Sequence, residues 1–274
     1  MKKIAVVGLG IIGGSICAAL TKAGYKIDGF DGNQQSVEFA LKAGYIHSQG
    51  KTLADYDVVF LAVPPHATME YLEKGEYKDG ALVSDICGIK KSLEDLVYSK
   101  TRRYRYVGLH PMAGKETSGI TSASPELFQG ANVIITYAKQ TNQQDVAEIK
   151  EYLTAMGFGK IVECTADEHD RKIALTSQLA HIVSNAYVKS KEVKNCDGFT
   201  GGSFQDMTRI AGVDEKMWTQ LYMCNRERIL VELNGLIDEL AVYRNALQDG
   251  DAEALSNALK LGRLIRETIK RGND

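Results

Sequence analysis

The sequence predicts a two-part chain, an α/β domain over residues 1–165 followed by an all-helical domain over residues 166–274, and three observations lead to it. Eighteen of the 26 glycines and all four prolines (Pro64, Pro65, Pro111, Pro125) lie before residue 166. In that first part, short β-prone apolar runs alternate with helix-length segments, the pattern of βαβ units around a mostly parallel sheet buried on both faces. In the second part, apolar side chains recur every three or four residues almost throughout.

Strands are expected at residues 4–7, 26–30, 58–63, 81–83, 106–109, 133–136 and 160–162, with helices at 15–23, 34–43 and 143–156 among them. The helical part opens at Thr165, which has capping-box spacing to Glu168 ahead of a helix over 169–191. From Trp218, the positions Leu221, Tyr222, Ile229, Leu233, Leu236, Ile237, Leu240, Tyr243 and Leu247 predict one long helix. Ala252, Leu255, Leu259, Ile265 and Ile269 continue it as a closing helix after Asp249-Gly250. The 169–191 helix carries small or apolar residues on more than one side (Ala174, Ser177, Ala180, Val183, Ser184, Ala186), which fits either a monomeric core or a homodimer built from these helices.

Composition narrows the function. The 274 residues are 44% hydrophobic and 25% charged, as in an ordinary folded protein. With 33 Lys+Arg against 35 Asp+Glu, the net charge of -2 argues against a nucleic-acid or anionic-membrane partner. An anionic ligand must then be met by local charge. Cys17, Cys87, Cys164, Cys196 and Cys224 lie far apart, with neither a CxxC pair nor zinc spacing, which argues for reduced thiols and against a metal. The N-terminus runs from Met1-Lys-Lys straight into an apolar strand, and no run reaches the roughly 18 apolar residues of a spanning helix. A cytoplasmic protein is expected.

A dinucleotide site stands at the start of the chain. Gly8-Leu9-Gly10-Ile11-Ile12-Gly13 falls where a strand turns into a helix. There Gly8 permits the tight turn, Gly10 lets the backbone approach a pyrophosphate, and Gly13 lets helix pack on strand. The helix N-terminus offers free N–H groups and a positive dipole to phosphates, with Ile11 and Ile12 at the turn. Asp31 ends the second strand, eighteen positions past Gly13, where a carboxylate accepts from both ribose hydroxyls and repels a 2′-phosphate, so NAD is favoured over NADP. Asp28 is the competing acid, within the strand. Val63-Pro64-Pro65 gives a rigid loop at the ligand-binding edge of the sheet, where it walls the nicotinamide pocket. The first domain is thus of the Rossmann type.

A second motif, Gly108-Leu-His-Pro-Met-Ala-Gly-Lys-Glu-Thr-Ser-Gly119, follows a predicted strand and puts His110 at the cofactor edge of the sheet. Histidine titrates near neutrality, which suits a general base that takes a proton from an alcohol as hydride leaves its carbon.

Through nearly the whole chain the sequence resembles the prephenate dehydrogenase family. The resemblance rests on Gly8-Leu-Gly-Ile-Ile-Gly-Gly-Ser15, Asp85-Ile-Cys-Gly-Ile-Lys90, the His110 run, Glu168-His-Asp170, Thr176-Ser-Gln-Leu-Ala-His181, and Gly201-Gly-Ser-Phe-Gln-Asp-Met-Thr-Arg-Ile-Ala211 followed by Trp218 and Asn225. It implies oxidative decarboxylation of prephenate to 4-hydroxyphenylpyruvate and carbon dioxide, with NAD as hydride acceptor, on a nucleotide-binding domain joined to an all-α dimerisation domain. It also implies that His110 is the catalytic base, that Glu116 is an active-site acid acting as a gate or in a polar network, and that Arg209 holds a substrate carboxylate through two parallel hydrogen bonds. Gln178 and His181, three residues apart, share a helix face and are both candidate substrate contacts, as is Gln205.

The sequence departs from the family pattern at three of these places. Gln178 stands where many members have a histidine, Gln205 where some have a lysine, and Gly88 where members often have a serine that hydrogen-bonds the catalytic histidine. His110 then needs another orienter, with backbone, water or Ser84 as candidates, and Lys115, Lys90 or a partner subunit could replace the missing charge. The chain ends just after the closing helix, so neither a fused mutase domain nor a regulatory domain is expected, and tyrosine would inhibit only by competition at the active site.

Other readings stay open beside this one. Arogenate dehydrogenase performs the same chemistry on a substrate with an amino-acid side chain. A non-catalytic NAD-binding protein would tolerate the three departures but has no reason to keep His110, Glu116 and Arg209 together. A β-hydroxyacid dehydrogenase would need a lysine in the first long helix of the second domain, where only Lys172 occurs, at its start.

Overall fold

In the computed structural model, which describes residues 2–114 and 117–269, six strands form one parallel sheet. They are β1 (Ile4–Val7), β2 (Ile27–Phe30), β3 (Ser48–Gln49), β4 (Val58–Leu61), β5 (Leu82–Asp85) and β6 (Arg105–Tyr106), in the order β3-β2-β1-β4-β5-β6. Every residue of β1, β4 and β5 is buried, because helices cover both faces: α1 (Ile11–Lys22), α2 (Gln34–Lys42), α3 (Pro65–Lys74), α4 (Lys91–Tyr98) and α5 (Gln143–Met156). Period-two alternation divides the strand residues between two cores. Ile4, Val6, Val58, Phe60 and Leu82 pack with Leu20, Val37 and Ile149, while Ala5, Val7, Val59, Leu61 and Val83 pack with Leu72 and Leu93.

The strand expected over 106–109 is two strands in two sheets. After β6 the chain enters β7 (Gly108–Pro111), which runs antiparallel to β8 (Asn132–Thr136), itself parallel to β9 (Lys160–Cys164). Gly108 stands at the crossing, and a Cβ there would lie 2.5 Å from Thr136 Oγ1 and 3.0 Å from Lys90 Cδ. The first domain therefore carries a mixed three-stranded sheet that apolar periodicity did not separate from the parallel one.

The helix expected over 169–191 is α6 (Ala166–Ile173), a π-helical segment (Ala174–Leu179) and α7 (Ala180–Tyr187). Thr165 Oγ1 accepts from Glu168 N at 3.2 Å as the cap predicts, while the Glu168 carboxylate turns to Lys172 at 2.6 Å. Next come α8 (Gly202–Thr208), α9 (Glu215–Cys224), α10 (Arg226–Asp249) and α11 (Ala252–Thr268). The single long helix expected from Trp218 is thus broken at Asn225, which leaves helical geometry at φ -120°. Its side chain is the reason: Asn225 is buried and its Nδ2 donates to the Asp170 carbonyl at 2.8 Å and to Gln178 Oε1 at 2.6 Å.

The chain divides into two compact units, Met1–Asn225 and Arg226–Asp274. In the second unit, α11 is capped by Asp251, whose Oδ1 accepts from Ala254 N at 2.8 Å, and Tyr243 of α10 donates to the Ala258 carbonyl at 3.4 Å. Ile237, Leu240, Leu247, Leu259, Leu261 and Ile265 of these two helices are each more than half exposed. No described helix is long and apolar enough to cross a membrane.

Candidate active site

The glycine turn has the geometry its motif requires. Gly8 takes φ +89°, and a Cβ on it would lie 2.3 Å from the Ala62 carbonyl oxygen; a Cβ on Gly13 would lie 1.8 Å from the Gly8 oxygen. Gly10 faces open space at the N-terminus of α1, where a phosphate can approach the unpaired N–H groups of Ile11 and Ile12. Beside it, Val7, Gly8, Phe30, Asp31, Gly32, Gln49, Val63 and Tyr71 line a cleft of about 310 Å³. The Asp31 carboxylate accepts from Leu9 N at 2.6 Å and Asn33 N at 2.7 Å, which fixes it at the rim of that cleft with lone pairs to spare for ribose hydroxyls. Asp28 is excluded from that role, since Ser48 and Tyr56 occupy its oxygens at 2.6 and 2.9 Å.

The Val63-Pro64-Pro65 segment leads into a helix. Pro64 caps α3 and Pro65 takes its first position, where no N–H is needed. Thr68 of the same helix donates to the Val63 carbonyl at 2.9 Å and lies 3.2 Å from Cys87 Sγ, which holds Val63 and Pro64 at the sheet edge.

His110 sits on β7, and its Nδ1 lies 2.8 Å from Nε2 of His169. His169 Nδ1 lies 2.7 Å from Asp170 Oδ1. The Asp170 carboxylate also accepts from the backbone N–H groups of Lys90 (2.8 Å) and Lys91 (2.9 Å) at the start of α4. His169 and Asp170 are buried. Behind them the fully buried Lys90 ammonium pairs with Asp85, which also accepts from Tyr106 Oη at 2.6 Å. Lys90 is therefore an internal charge and not a free cation for substrate, and Lys115 lies outside the described residues, as does Glu116.

The candidate orienters of His110 resolve differently from the sequence reading. Ser84 Oγ donates to the Val107 carbonyl at 2.7 Å and is spent there. At Gly88, a Cβ would lie 3.6 Å from His110 Nε2 and 3.5 Å from Leu221 Cδ2, so this glycine lies against the far nitrogen of the ring. The partner that holds His110 is His169, which no local pattern connects to a residue 59 positions earlier; the only trace in the sequence is the Glu168-His-Asp170 motif of the resemblance.

Burial, with the charges of His169 and Lys90 adding to it, pushes the His110 pKa well below the usual histidine value, and burial also lowers that of His169. Both rings are neutral near pH 7, the form a general base requires. Because the competent form persists as pH falls through the ordinary histidine range, the acid limb of kcat/KM is expected well below about pH 6.5. An acid limb at or above that value contradicts this. Stability has the matching sign: the unfolded chain takes up protons on these two rings near pH 6.5 and the folded one does not, so stability falls as the pH drops below about 6.5.

The second group of candidates lies on α7 and α8. His181 Nδ1 donates to the Ile210 carbonyl at 2.8 Å, Ser184 Oγ to Met207 O at 2.7 Å, and Asn185 Nδ2 to Ala211 O at 3.1 Å. These three side chains share one face of α7 and satisfy carbonyls at the C-terminal end of α8, which fixes the backbone around Arg209. Arg209 is exposed, and its charge, after burial, helps to lower the His181 pKa. Gln205 lies one turn before Arg209 and is also exposed. The His181 ring lies 4.0 Å, centroid to centroid, from Trp218 of α9. Leu221, one turn after Trp218, lies against Gly88, as does the His110 ring, so one face of α9 runs from Trp218 toward Gly88. Of the two candidates on the preceding segment, His181 reaches this face, whereas Gln178 is buried in the π-helical turn with its Oε1 on Asn225.

Comparisons with known proteins point to the prephenate dehydrogenase family. Residues 16–163 match the model for the prephenate dehydrogenase nucleotide-binding domain and residues 165–261 that for the prephenate dehydrogenase dimerization domain. Prephenate dehydrogenase of Lactococcus lactis subsp. cremoris is 31% identical over 288 residues, covering 98% of this chain and 78% of that protein. Prephenate dehydrogenase of Bacillus subtilis is 30% identical over 281 residues, covering 97% and 76%. The crystal structure of prephenate dehydrogenase from A. aeolicus, in complex with hydroxyphenyl propionate and NAD+, superposes with a TM-score of 0.84 at 28% identity, covering 98% of this chain and 99% of that one.

Proposed function

The chain belongs to the prephenate dehydrogenase family, and from that premise we propose that it oxidises and decarboxylates prephenate to 4-hydroxyphenylpyruvate and carbon dioxide with NAD as hydride acceptor. The observation that carries the reading is His110 on β7, its ring held by His169 at 2.8 Å and lying beside Gly88, against which Leu221 of α9 also packs. Gly8, Gly10, Ile11, Ile12 and Gly13 would hold NAD, with Asp31 toward the ribose and Val63 and Pro64 toward the nicotinamide, and NAD when bound would supply the hydride acceptor.

His110 takes the proton of the C4 hydroxyl as hydride leaves C4. The resulting ketone lies across the ring from the C1 carboxylate; when the C1–carboxylate bond breaks, its electron pair enters the ring and carbon dioxide departs. Aromatisation drives that step, and the imidazolium, held at a lowered pKa, returns its proton to the new phenolate oxygen. Arg209 supplies the fixed cation that a doubly charged substrate needs from a protein of net charge -2. His181 and Gln205 serve as further contacts near it, and the buried Gln178 holds Asn225, which donates to the Asp170 carbonyl behind His110. Glu116 keeps the gate or network role proposed from its place in the motif.

The uncovered apolar side chains of α10 and α11, in a segment matching a dimerization-domain model, support a homodimer. Reduction of NAD by the purified protein with prephenate tests the activity. Reduction with arogenate alone moves the specificity and leaves the chemistry in place.

A further inference from the structure

We propose that His169 and Asp170 are positioning residues that fix the tautomer of His110, holding its proton on Nδ1 so that Nε2 carries the lone pair of the catalytic base. The proposal rests on the reading of His110 as that base. It follows from which atoms can donate. The Asp170 carboxylate has only acceptors to offer, so at 2.7 Å His169 Nδ1 must carry its proton. A neutral His169 then has a bare Nε2, and at 2.8 Å this requires His110 Nδ1 to be the donor. The reverse arrangement sets the lone pair of His169 Nδ1 against a buried carboxylate and is disfavoured.

The Asp170 end of the chain is itself anchored. Its oxygens take the backbone N–H groups of Lys90 and Lys91 at the N-terminus of α4, where the helix dipole favours a negative charge. Asn225 donates to the Asp170 carbonyl from the break between α9 and α10. Among the described residues, the charged groups facing the two rings are Lys90, Asp85 and Asp170, and the Lys90 ammonium opposes a second positive charge on either histidine. The nitrogen that then carries the lone pair, Nε2, is the one beside Gly88, the position where family members often carry a serine. A protein that lacks the serine can thus define its base from the other side of the ring.

The experiment has a structural and a kinetic arm. Long-range 1H–15N spectra of 15N-histidine-labelled protein, with His110 assigned by loss of its signals in His110→Asn, report the tautomer without substrate. The Nδ1–H form is expected at pH 7.5, and the Nε2–H form as the major species overturns the proposal whatever the enzyme's substrate proves to be. In the kinetic arm, His169→Phe removes the acceptor of the His110 proton and Asp170→Leu removes the acceptor of the His169 proton. Each is expected to lower kcat about 100-fold or more while KM for prephenate and the Kd for NAD stay within about threefold. His169→Phe or Asp170→Leu that folds with wild-type kcat overturns the proposal. If Asp170→Leu does not fold, the wild-type spectrum and His169→Phe still decide. Failure of the wild-type protein to oxidise prephenate, with His110 in the Nδ1–H form, removes the functional reading alone.

Discussion

Replacing His110 by Asn is expected to lower kcat for prephenate oxidation between about 100-fold and 10,000-fold, the usual span for loss of a general base, which corresponds to about 2.7–5.5 kcal/mol in the barrier. The amide can still occupy the space beside His169 and Gly88 but cannot accept the hydroxyl proton. Gly8, Gly10, Gly13 and Asp31 lie on other loops, so the Kd for NAD is expected to stay within about threefold of wild type. Kinetics alongside NAD titration checks both halves. A His110→Asn enzyme with wild-type kcat would remove His110 from the chemistry.

Arg209→Ala is expected to raise KM for prephenate about 30- to 150-fold, the equivalent of about 2–3 kcal/mol for a charge-assisted carboxylate contact, with kcat within about threefold. The contact is made in ground and transition states alike, so it appears in KM. Arg209→Lys should recover only part of the loss, because an ammonium lacks the planar fork that meets both carboxylate oxygens. The carbonyls at the end of α8 are satisfied by His181, Ser184 and Asn185, so the replacement leaves those bonds in place. An unchanged KM would refute the carboxylate role.

What could be seen in the sequence was what local chemistry dictates. The turn at Gly8 to Gly13, Asp31 at the end of β2 and the Thr165 cap depend on residues within one supersecondary unit, and each is where its motif put it, whereas His110, expected just past a strand at the edge of the cofactor-binding sheet, lies within β7 of the second sheet. What could not be seen depends on distant partners. The break at Asn225 interrupts an unbroken helical periodicity, because side-chain bonds to Asp170 and Gln178 hold it. The division of residues 105–111 between two sheets rests on the close approach of Gly108 to Thr136. The orienter of His110 stands 59 residues away on α6, and a search confined to the neighbourhood of Gly88 finds Ser84, whose hydroxyl is committed elsewhere. Gln178 and His181, equivalent by helical spacing, part company because the π-helical turn buries the first and leaves the second against Trp218.

The most direct test of the account is NADH formation by the purified protein with NAD and prephenate, run beside an identical reaction containing arogenate. Reduction with prephenate is the expected result, slowed at least about 100-fold in His110→Asn. A protein that binds NAD and reduces it with neither substrate would contradict it.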